Sequence, residues 1–337
     1  MGEYIRVREN EYKILRKIPV SWNLRELSRI SGVPYTTVHR FVRGFRKRGA
    51  IHFIPRYEKL GLIEYFLITS LDRVERLPPF TRLSRIAYAT GRKMRIIRAL
   101  VPYTLIEEYK RALNLKIYAE VRGFEVRFYR PDSPRTFYSD GVIKALFSQP
   151  LEEEVKGEVR EWYPVNKAPD LIDLAVITGK LARGPFIENK AAYELVKRYD
   201  KSLPSISKQL LSYHVREHVK KKYWAYNSVN IFVDVNITPF KYYYFEGRDA
   251  PIVARLLTNM PFFSFAIIEK NKAVVFGQVP CSLMEKLYML LSIFDIKMPF
   301  GEIVLRLSNF SIYVPVFTRF VEEGRWVWKD LLHTVIK

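Results

Sequence analysis

The sequence predicts an α+β protein in which winged helix-turn-helix domains alternate with ferredoxin-like βαββαβ domains, in two divergent copies. Three observations predict this fold class. A basic amphipathic helix follows a tight turn near the N-terminus. Strand and helix patterns in the second half come in the order βαββαβ. Much of that order of elements also occurs in the first half.

Composition limits what the chain does. Its 337 residues are enough for two to four small domains, and 48% hydrophobic residues are enough to form packed cores. The formal net charge of +21 points to a polyanionic partner, with nucleic acid first and an anionic membrane surface second. The alternative is a generally basic protein of thermophile type, which the clustering of the charge disfavours.

A single cysteine, Cys281, excludes an internal disulfide and fits a reducing compartment. No apolar run approaches the ~18 residues of a membrane span, and the N-terminus lacks the apolar stretch of a signal peptide. We therefore expect a cytoplasmic, nucleoid-associated protein with no membrane partner.

The first sixty residues predict three helices followed by a strand and turn that form a wing. A helix over 8–17 is ended by Pro19, and Asn23 with Glu26 forms a capping box for the next helix. A turn over 31–33 then leads to Pro34, which suits the first position of a third helix.

The third helix, about 35–48, is apolar on one side and basic on the other. Val38, Phe41, Val42 and Phe45 have the spacing of one buried face. Residues 40–48 include five cations and no acid. Two helices joined by a short turn, the second basic outside, are typical of a helix-turn-helix that enters a DNA major groove. A merely solvated basic helix is the alternative.

Contacts to double-stranded DNA follow from position along this helix, because its beginning usually reaches base edges while later cations bind phosphate. The predicted base-reading residues are Tyr35, Thr36, Thr37, His39 and Arg40. The predicted phosphate-binding residues are Arg43, Arg46, Lys47 and Arg48, with Arg56 on the wing.

Residues 9–62 resemble the winged-helix part of the Lrp/AsnC ("feast/famine") transcriptional regulators. The resemblance is carried by the segments EYKIL (11–15), LRELSRISGVP (24–34), TVHR (37–40) and KLGL (59–62). One departure is Val33, where the family usually has Ser before the proline. The resemblance implies αβ domains for oligomerisation and for a small-molecule effector, whose identity is unknown.

The βαββαβ order in the second half is predicted from a strand over 230–238, a helix over 251–259, strands over 262–268 and 272–278, a helix over 282–294 and a strand over 301–307. The first half matches it best where LVPYTLIEEY (100–109) parallels QVPCSLMEKL (278–287). Its first helix is missing, because Pro78 and Pro79 stand in that place. The runs 241–245 and 261–263 are rich in aromatic residues, which are more often sheet or core than base-stacking.

A second, divergent winged helix is predicted from helices over 170–181, 189–199 and 205–220. Its last helix carries five candidate DNA-binding cations: Lys208, Arg216, Lys220, Lys221 and Lys222. The expected domains are therefore 1–60 (winged helix), 61–147 (αβ), 148–228 (linker and second winged helix), 229–310 (second αβ) and 311–337 (C-terminal extension).

His214 and His218 lie four residues apart with Glu217 between them, an arrangement that can hold zinc. The following lysines, Lys220 to Lys222, would repel a cation, and the sequence offers no third ligand. We therefore predict no metal, no cofactor and no catalytic residue.

The predicted function is a sequence-specific regulator of transcription that binds double-stranded DNA. Two alternatives remain: a siroheme decarboxylase-like enzyme, since such enzymes resemble Lrp/AsnC proteins, and an adaptor that recruits the basal transcription machinery. The two αβ domains are expected to pair within one chain as a pseudo-dimer, or between chains as a homodimer.

Overall fold

The computed structural model of the chain describes residues 5–45, 48–72, 76–155, 157–163, 166–306, 313–330 and 335–336. It confirms the predicted fold class, with a helix-turn-helix unit followed by a ferredoxin-like unit, twice over. Arg46 and Lys47 lie outside the described residues.

The first helix-turn-helix unit has the elements β1 (Ile5–Arg6), α1 (Glu9–Lys17), α2 (Leu24–Ser31), α3 (Tyr35–Phe45) and β2 (Gly49–Pro55), with a 3₁₀ turn at Ile18–Val20. The Asn23 side chain accepts a hydrogen bond from the Glu26 N–H (2.9 Å), as the capping pattern predicted. Gly32 ends α2 with a φ of 69°, a left-handed conformation that favours glycine. The turn therefore places α3 across α2.

The first ferredoxin-like unit follows directly. It consists of α4 (Tyr57–Leu60), β3 (Leu62–Thr69), β4 (Thr81–Ala89), β5 (Arg92–Pro102), α5 (Ile106–Leu113), β6 (Ile117–Gly123) and β7 (Glu125–Phe128), with a 3₁₀ turn at Tyr103–Leu105. The strand order β6-β3-β5-β4 is that of a split βαββαβ sheet. Between β3 and β4, the described residues 70–72 and 76–80 contain no helix, as the two prolines predicted.

The segment between the halves is docked on both of them. It contains β8 (Thr136–Ser139), β9 (Val142–Ala145) and α6 (Glu152–Val155), and β9 pairs with β1. Arg135 and Glu154 form a fully buried ion pair at 2.6 Å. Burial raises the pKa of Glu154, but hydrogen bonds from Arg135, Asn259 and the Leu151 N–H outweigh it and hold the pKa below its ordinary value.

The second helix-turn-helix unit has α7 (Leu171–Arg183), α8 (Asn189–Lys197), α9 (Lys208–Tyr213), a π-helix over His214–Tyr223 and β10 (Trp224–Ile231). Strand β10 pairs with β2 along its whole length, antiparallel, with Asn227 opposite Phe53 and Ile231 opposite Gly49. We call this two-stranded sheet the hinge ladder. It joins the two halves of the chain.

The hinge ladder overturns the prediction of two wings. Residues 50–55 form a strand, as expected, but α4 follows at once, so there is no returning strand with which to close a hairpin. Strand β10, which stands where the second winged helix would have its wing, supplies the partner instead. Each expected wing is one half of a single ladder.

The second ferredoxin-like unit has β11 (Lys241–Glu246), α10 (Ala250–Thr258), β12 (Phe263–Glu269), β13 (Lys272–Gly277), α11 (Met284–Leu291) and β14 (Glu302–Leu305), with a 3₁₀ turn at Cys281–Leu283. The predicted first strand over 230–238 is wrong: Ile231 ends β10, and residues 232–240 form no strand. The aromatic run supplies the strand, and Tyr242 to Phe245 are buried.

The two sheets join into one closed barrel. The nine described strands run in the order β6-β3-β5-β4-β14-β11-β13-β12-β7. Only Phe124 separates β6 from β7, so the two ends of the sheet meet. Side chains of both units, among them Phe66, Ile96, Tyr242 and Val274, pack together inside it. The two αβ units therefore share one continuous sheet within the chain.

The C-terminal segment fills the place of the missing helix. It contains β15 (Val314–Pro315), a 3₁₀ turn at Phe317–Phe320, β16 (Val321–Glu322), β17 (Arg325–Trp326) and β18 (Val335–Ile336). Phe320 packs on Phe80 just before β4, with ring centroids 4.6 Å apart. The Trp326 indole N–H donates to the Leu60 carbonyl at 3.0 Å, and this side chain is 2% exposed.

Within the described residues, none of the helices is long and apolar enough to cross a bilayer.

Replacing Trp326 with alanine is expected to lower the free energy of unfolding by about 3–5 kcal/mol, because it opens a cavity between the C-terminal segment and α4. Urea denaturation followed by circular dichroism measures this. Tyr118→Ala, at a side chain that is 49% exposed, is the control and should cost less than about 1 kcal/mol. Equal losses for the two variants would contradict the packing role of Trp326.

Candidate nucleic-acid interface and hinge cavity

Helix α3 presents one open face to solvent. Val38, Phe41 and Phe45 are buried against α1 and α2, so the opposite side of the helix points outward. The exposed residues on that side are Tyr35, Thr36, His39, Arg40 and Arg43, whereas Thr37 is half-buried. The predicted base-reading residues therefore share one surface, with Thr37 at its edge.

The two central cations of this surface are free. Arg40 and Arg43 make no ion pair or hydrogen bond with the described part of the chain, and both are exposed. Arg48, by contrast, is held by Glu11 at 2.7 Å. Because Arg48 is already paired with Glu11, this ion pair would have to break before Arg48 could bind a phosphate as predicted.

Arg56, which was predicted to bind phosphate from a wing, instead contacts the second half of the chain. Its Nη1 donates to the carbonyls of Lys221 and Lys222, at 2.9 and 3.0 Å. These are the last residues of the π-helix, where backbone carbonyls lack helical partners. Arg56 thus caps a helix beside the hinge ladder and does not lie on a wing.

The candidate cations of the second unit are unequally available. Arg216 and Lys221 both pair with Glu217, at 2.6 and 2.5 Å. The Nζ of Lys220 lies 6.0 Å from the Trp22 ring, and the Nζ of Lys222 lies 4.9 Å from the Tyr223 ring. Lys208 is exposed at the start of α9.

The connection between the last two helices of the second helix-turn-helix unit is longer than in the first. Ten residues, 198–207, separate α8 from α9, whereas three residues separate α2 from α3. The two halves therefore present different surfaces.

Sequence reasoning missed two arginines beside α3. A cleft of about 590 Å³ lies between α3 and the second unit, lined on one side by His39 and Arg43 and on the other by Arg183 and Arg198. Both of the latter are exposed. Only the fold brings them to α3, since they come from the ends of α7 and α8.

His214 and His218 share a buried carboxylate that sequence reasoning also missed. The two Nδ1 atoms lie 2.9 and 3.0 Å from the Oδ1 and Oδ2 of Asp173 on α7. Burial raises the pKa of Asp173, and the two histidines oppose that shift. The three groups lie close enough together to hold a metal ion, and they equally satisfy one another by hydrogen bonds across the α7–π-helix contact.

A second site lies where the hinge ladder meets the barrel. This hinge cavity has a volume of about 440 Å³. Its walls come from β2 and β10, from the end of α7 and from inward-facing barrel residues. The polar residues that line it are His52, Arg82, Arg98, Arg183 and Asn230.

Two arginines of the hinge cavity share one acid. The fully buried Glu64 forms ion pairs with both of them. Its Oε1 lies 2.5 Å from the Nη1 of Arg82, and its Oε2 lies 3.2 Å from the Nη2 of Arg98. The Arg98 guanidinium lies 3.8 Å from the centre of the Phe265 ring. Among the residues that the structure describes, none of those lining the cavity is acidic.

His52 is neutral in this setting. Burial, assisted by the nearby cations Arg82 and Arg98, lowers its pKa to about 4. Its Nε2 lies 3.1 Å from the Asn230 amide nitrogen, which donates to it across the ladder.

No family model and no curated protein matches the chain. Solved structures that match the chain include the siroheme decarboxylase NirDL, which is 13% identical, with 92% of this chain and 96% of that chain covered and a TM-score of 0.44. Another is a transcriptional regulator that is 17% identical, with 40% of this chain and 96% of that chain covered and a TM-score of 0.23.

His52 should make folding stability depend on pH. Its pKa in the folded chain lies below the ordinary 6.5, so the unfolded chain binds more protons between these values and stability falls as pH drops from about 7 towards 4. Urea denaturation at several pH values should show a smaller fall for His52→Gln than for the wild type. Parallel profiles for the two proteins would contradict the neutral state of the half-buried His52.

Proposed function

We propose that the chain is a sequence-specific, double-stranded DNA-binding regulator of transcription that inserts α3 into the major groove. The observation that carries this proposal is the open outer face of α3, on which Arg40 and Arg43 have no hydrogen-bond or ion-pair partner among the described residues. A buried apolar face and an exposed cationic face are what a helix needs to dock on its own domain and enter a groove of ~12 Å.

Roles follow from position along α3. Tyr35, Thr36 and His39 lie at its beginning and would meet base edges. Arg40 has the reach and the planar fork for bidentate binding to a guanine. Arg43, with Arg46 and Lys47, would bind phosphates and set register.

The second half would contribute charge more than sequence reading. Arg183 and Arg198 border the cleft beside α3 and extend its basic surface. The predicted contacts of Lys208, Arg216, Lys220, Lys221 and Lys222 remain proposals. Of these, Arg216 and Lys221 would first have to leave Glu217.

Binding to duplex DNA should be strongly salt-dependent. If the protein makes ~4 phosphate contacts, the logarithm of affinity should fall against the logarithm of salt concentration with a slope of about −4. Fluorescence anisotropy on a site obtained by in vitro selection measures the slope. A slope near zero would contradict the proposal, and a porphyrin-type absorbance of the purified protein would favour the decarboxylase alternative instead.

Arg40→Ala should weaken binding to the selected site by about 1–3 kcal/mol and relax the preference at one base pair, because a base contact is lost. Arg43→Ala should weaken selected and random duplexes alike and reduce the salt slope by about 1. Lys93→Ala, at an exposed position near the start of β5, removes the same charge and is the control. If all three variants behaved alike, bulk charge rather than α3 would explain the binding.

The unequal halves predict an asymmetric DNA site. Helix α3 follows a three-residue turn, while α9 follows ten residues and continues as a π-helix, so the two halves would not read identical half-sites. Footprinting should show one strongly protected half-site with a weaker or different neighbour. A strictly two-fold symmetric footprint would contradict this.

A further inference from the structure

We propose that the hinge cavity is a binding site for a small organic carboxylate with an apolar or aromatic body. The inference concerns a different place from α3 and goes beyond DNA binding. It depends on three features of the cavity: its charge, its unpartnered polar atoms and its aromatic wall.

The hinge cavity has more positive than negative charge. Arg82 and Arg98 are both held against the single carboxylate of Glu64, and burial keeps His52 neutral. One positive charge is therefore left in a largely buried place with no lining acid to balance it. Because an uncompensated buried charge costs several kcal/mol, the site favours an anion.

Hydrogen-bonding capacity is also left over at the same place. The Nε atoms of Arg82 and Arg98 and the Oδ1 of Asn230 are buried, and none has a hydrogen-bond partner in the described part of the chain. Buried polar groups are nearly always satisfied, so three unpartnered atoms on residues that line one cavity indicate that this place lacks a polar partner. Two arginine donors suit a carboxylate, and the Asn230 oxygen accepts from a hydroxyl or amine on the same ligand.

The aromatic wall of the hinge cavity favours a ligand whose uncharged part is apolar. Phe128, Phe265 and Phe276 line the barrel side of the cavity, and Phe232 lines the ladder side. A volume of about 440 Å³ is within the usual range of ~300–1,000 Å³ for small-molecule sites. A bare inorganic anion would place no apolar group against this aromatic wall, so the pattern fits a carboxylate attached to an apolar group.

The cavity also touches both DNA-binding units. His52 lies on β2, which follows α3, and Ala182 lies on α7 of the second unit. A bound ligand would therefore contact both halves across the hinge ladder.

Direct binding to the full chain tests the proposal without any DNA. Isothermal titration calorimetry measures the binding of benzoate, 2-naphthoate and octanoate. The amide 2-naphthamide is the uncharged match for 2-naphthoate. We expect saturable binding of at least one carboxylate at one site per chain, and at least tenfold weaker binding of the amide. Arg98→Met should weaken the best probe at least tenfold, whereas Lys93→Met, at an exposed cation that does not line the cavity, should change it less than threefold.

Since Arg98→Met also removes a partner of Glu64, circular dichroism checks its fold. Ala182→Leu, which narrows the cavity without changing any charge, provides a second loss-of-binding variant. The proposal is overturned if no carboxylate binds saturably up to millimolar concentration, which would mean a cavity that holds only water. It is also overturned if acid and amide bind equally, or if Ala182→Leu and a folded Arg98→Met both leave binding unchanged. None of these results depends on whether α3 binds DNA.

Discussion

The pairing of β2 with β10 is the contact on which the rest of this structure depends. It is a ladder between strands about 170 residues apart in the chain, and it fixes the two helix-turn-helix units over one end of the barrel. Asn227 strengthens the joint by donating from its amide to the carbonyls of Ile18 and Ser21 in the first unit. The same ladder forms one wall of the hinge cavity, because His52 and Asn230 are on its two strands. The placement of α3, the cavity and the cleft beside α3 thus follows from one set of backbone hydrogen bonds.

Local pattern predicted those parts whose stability is local. The apolar stripe Val38, Phe41, Phe45 identified the buried side of α3, and Asn23 with Glu26 identified the start of α2, because capping and amphipathicity are properties of a few consecutive residues. The choice of strand partner is different, since pairing over a long separation leaves no trace in spacing. The wings were therefore predicted wrongly. The alternation of residues 231–237 was also mistaken for a strand, while the buried run Tyr242 to Phe245, apolar on both faces, gave no period-2 signal.

The same limit applies to the candidate sites. The exposed face of α3 could be derived from the sequence, but no spacing connects Asp173 with His214, or Glu64 with Arg82 and Arg98. His214 and His218 fell near the apolar side of their predicted helix because they do point inward, towards a carboxylate that a different helix supplies. A π-helix widens each turn there, so a period of 3.6 residues misjudges the phase of that segment. The C-terminal segment had no counterpart in the repeat because it replaces an element that the first unit lacks.

Closing the barrel within one polypeptide has a thermodynamic consequence. A barrel assembled from two separate subunits exists in a monomer–dimer equilibrium, so its melting temperature rises with protein concentration. Here both sheets belong to the same molecule, so barrel closure is unimolecular and does not weaken on dilution. In a symmetric dimer each interface residue must fit an identical partner subunit, whereas here the two halves have different sequences. A substitution then alters one side alone, so the two units can differ: the described residues around Pro78 and Pro79 contain no helix, whereas the second unit has α10.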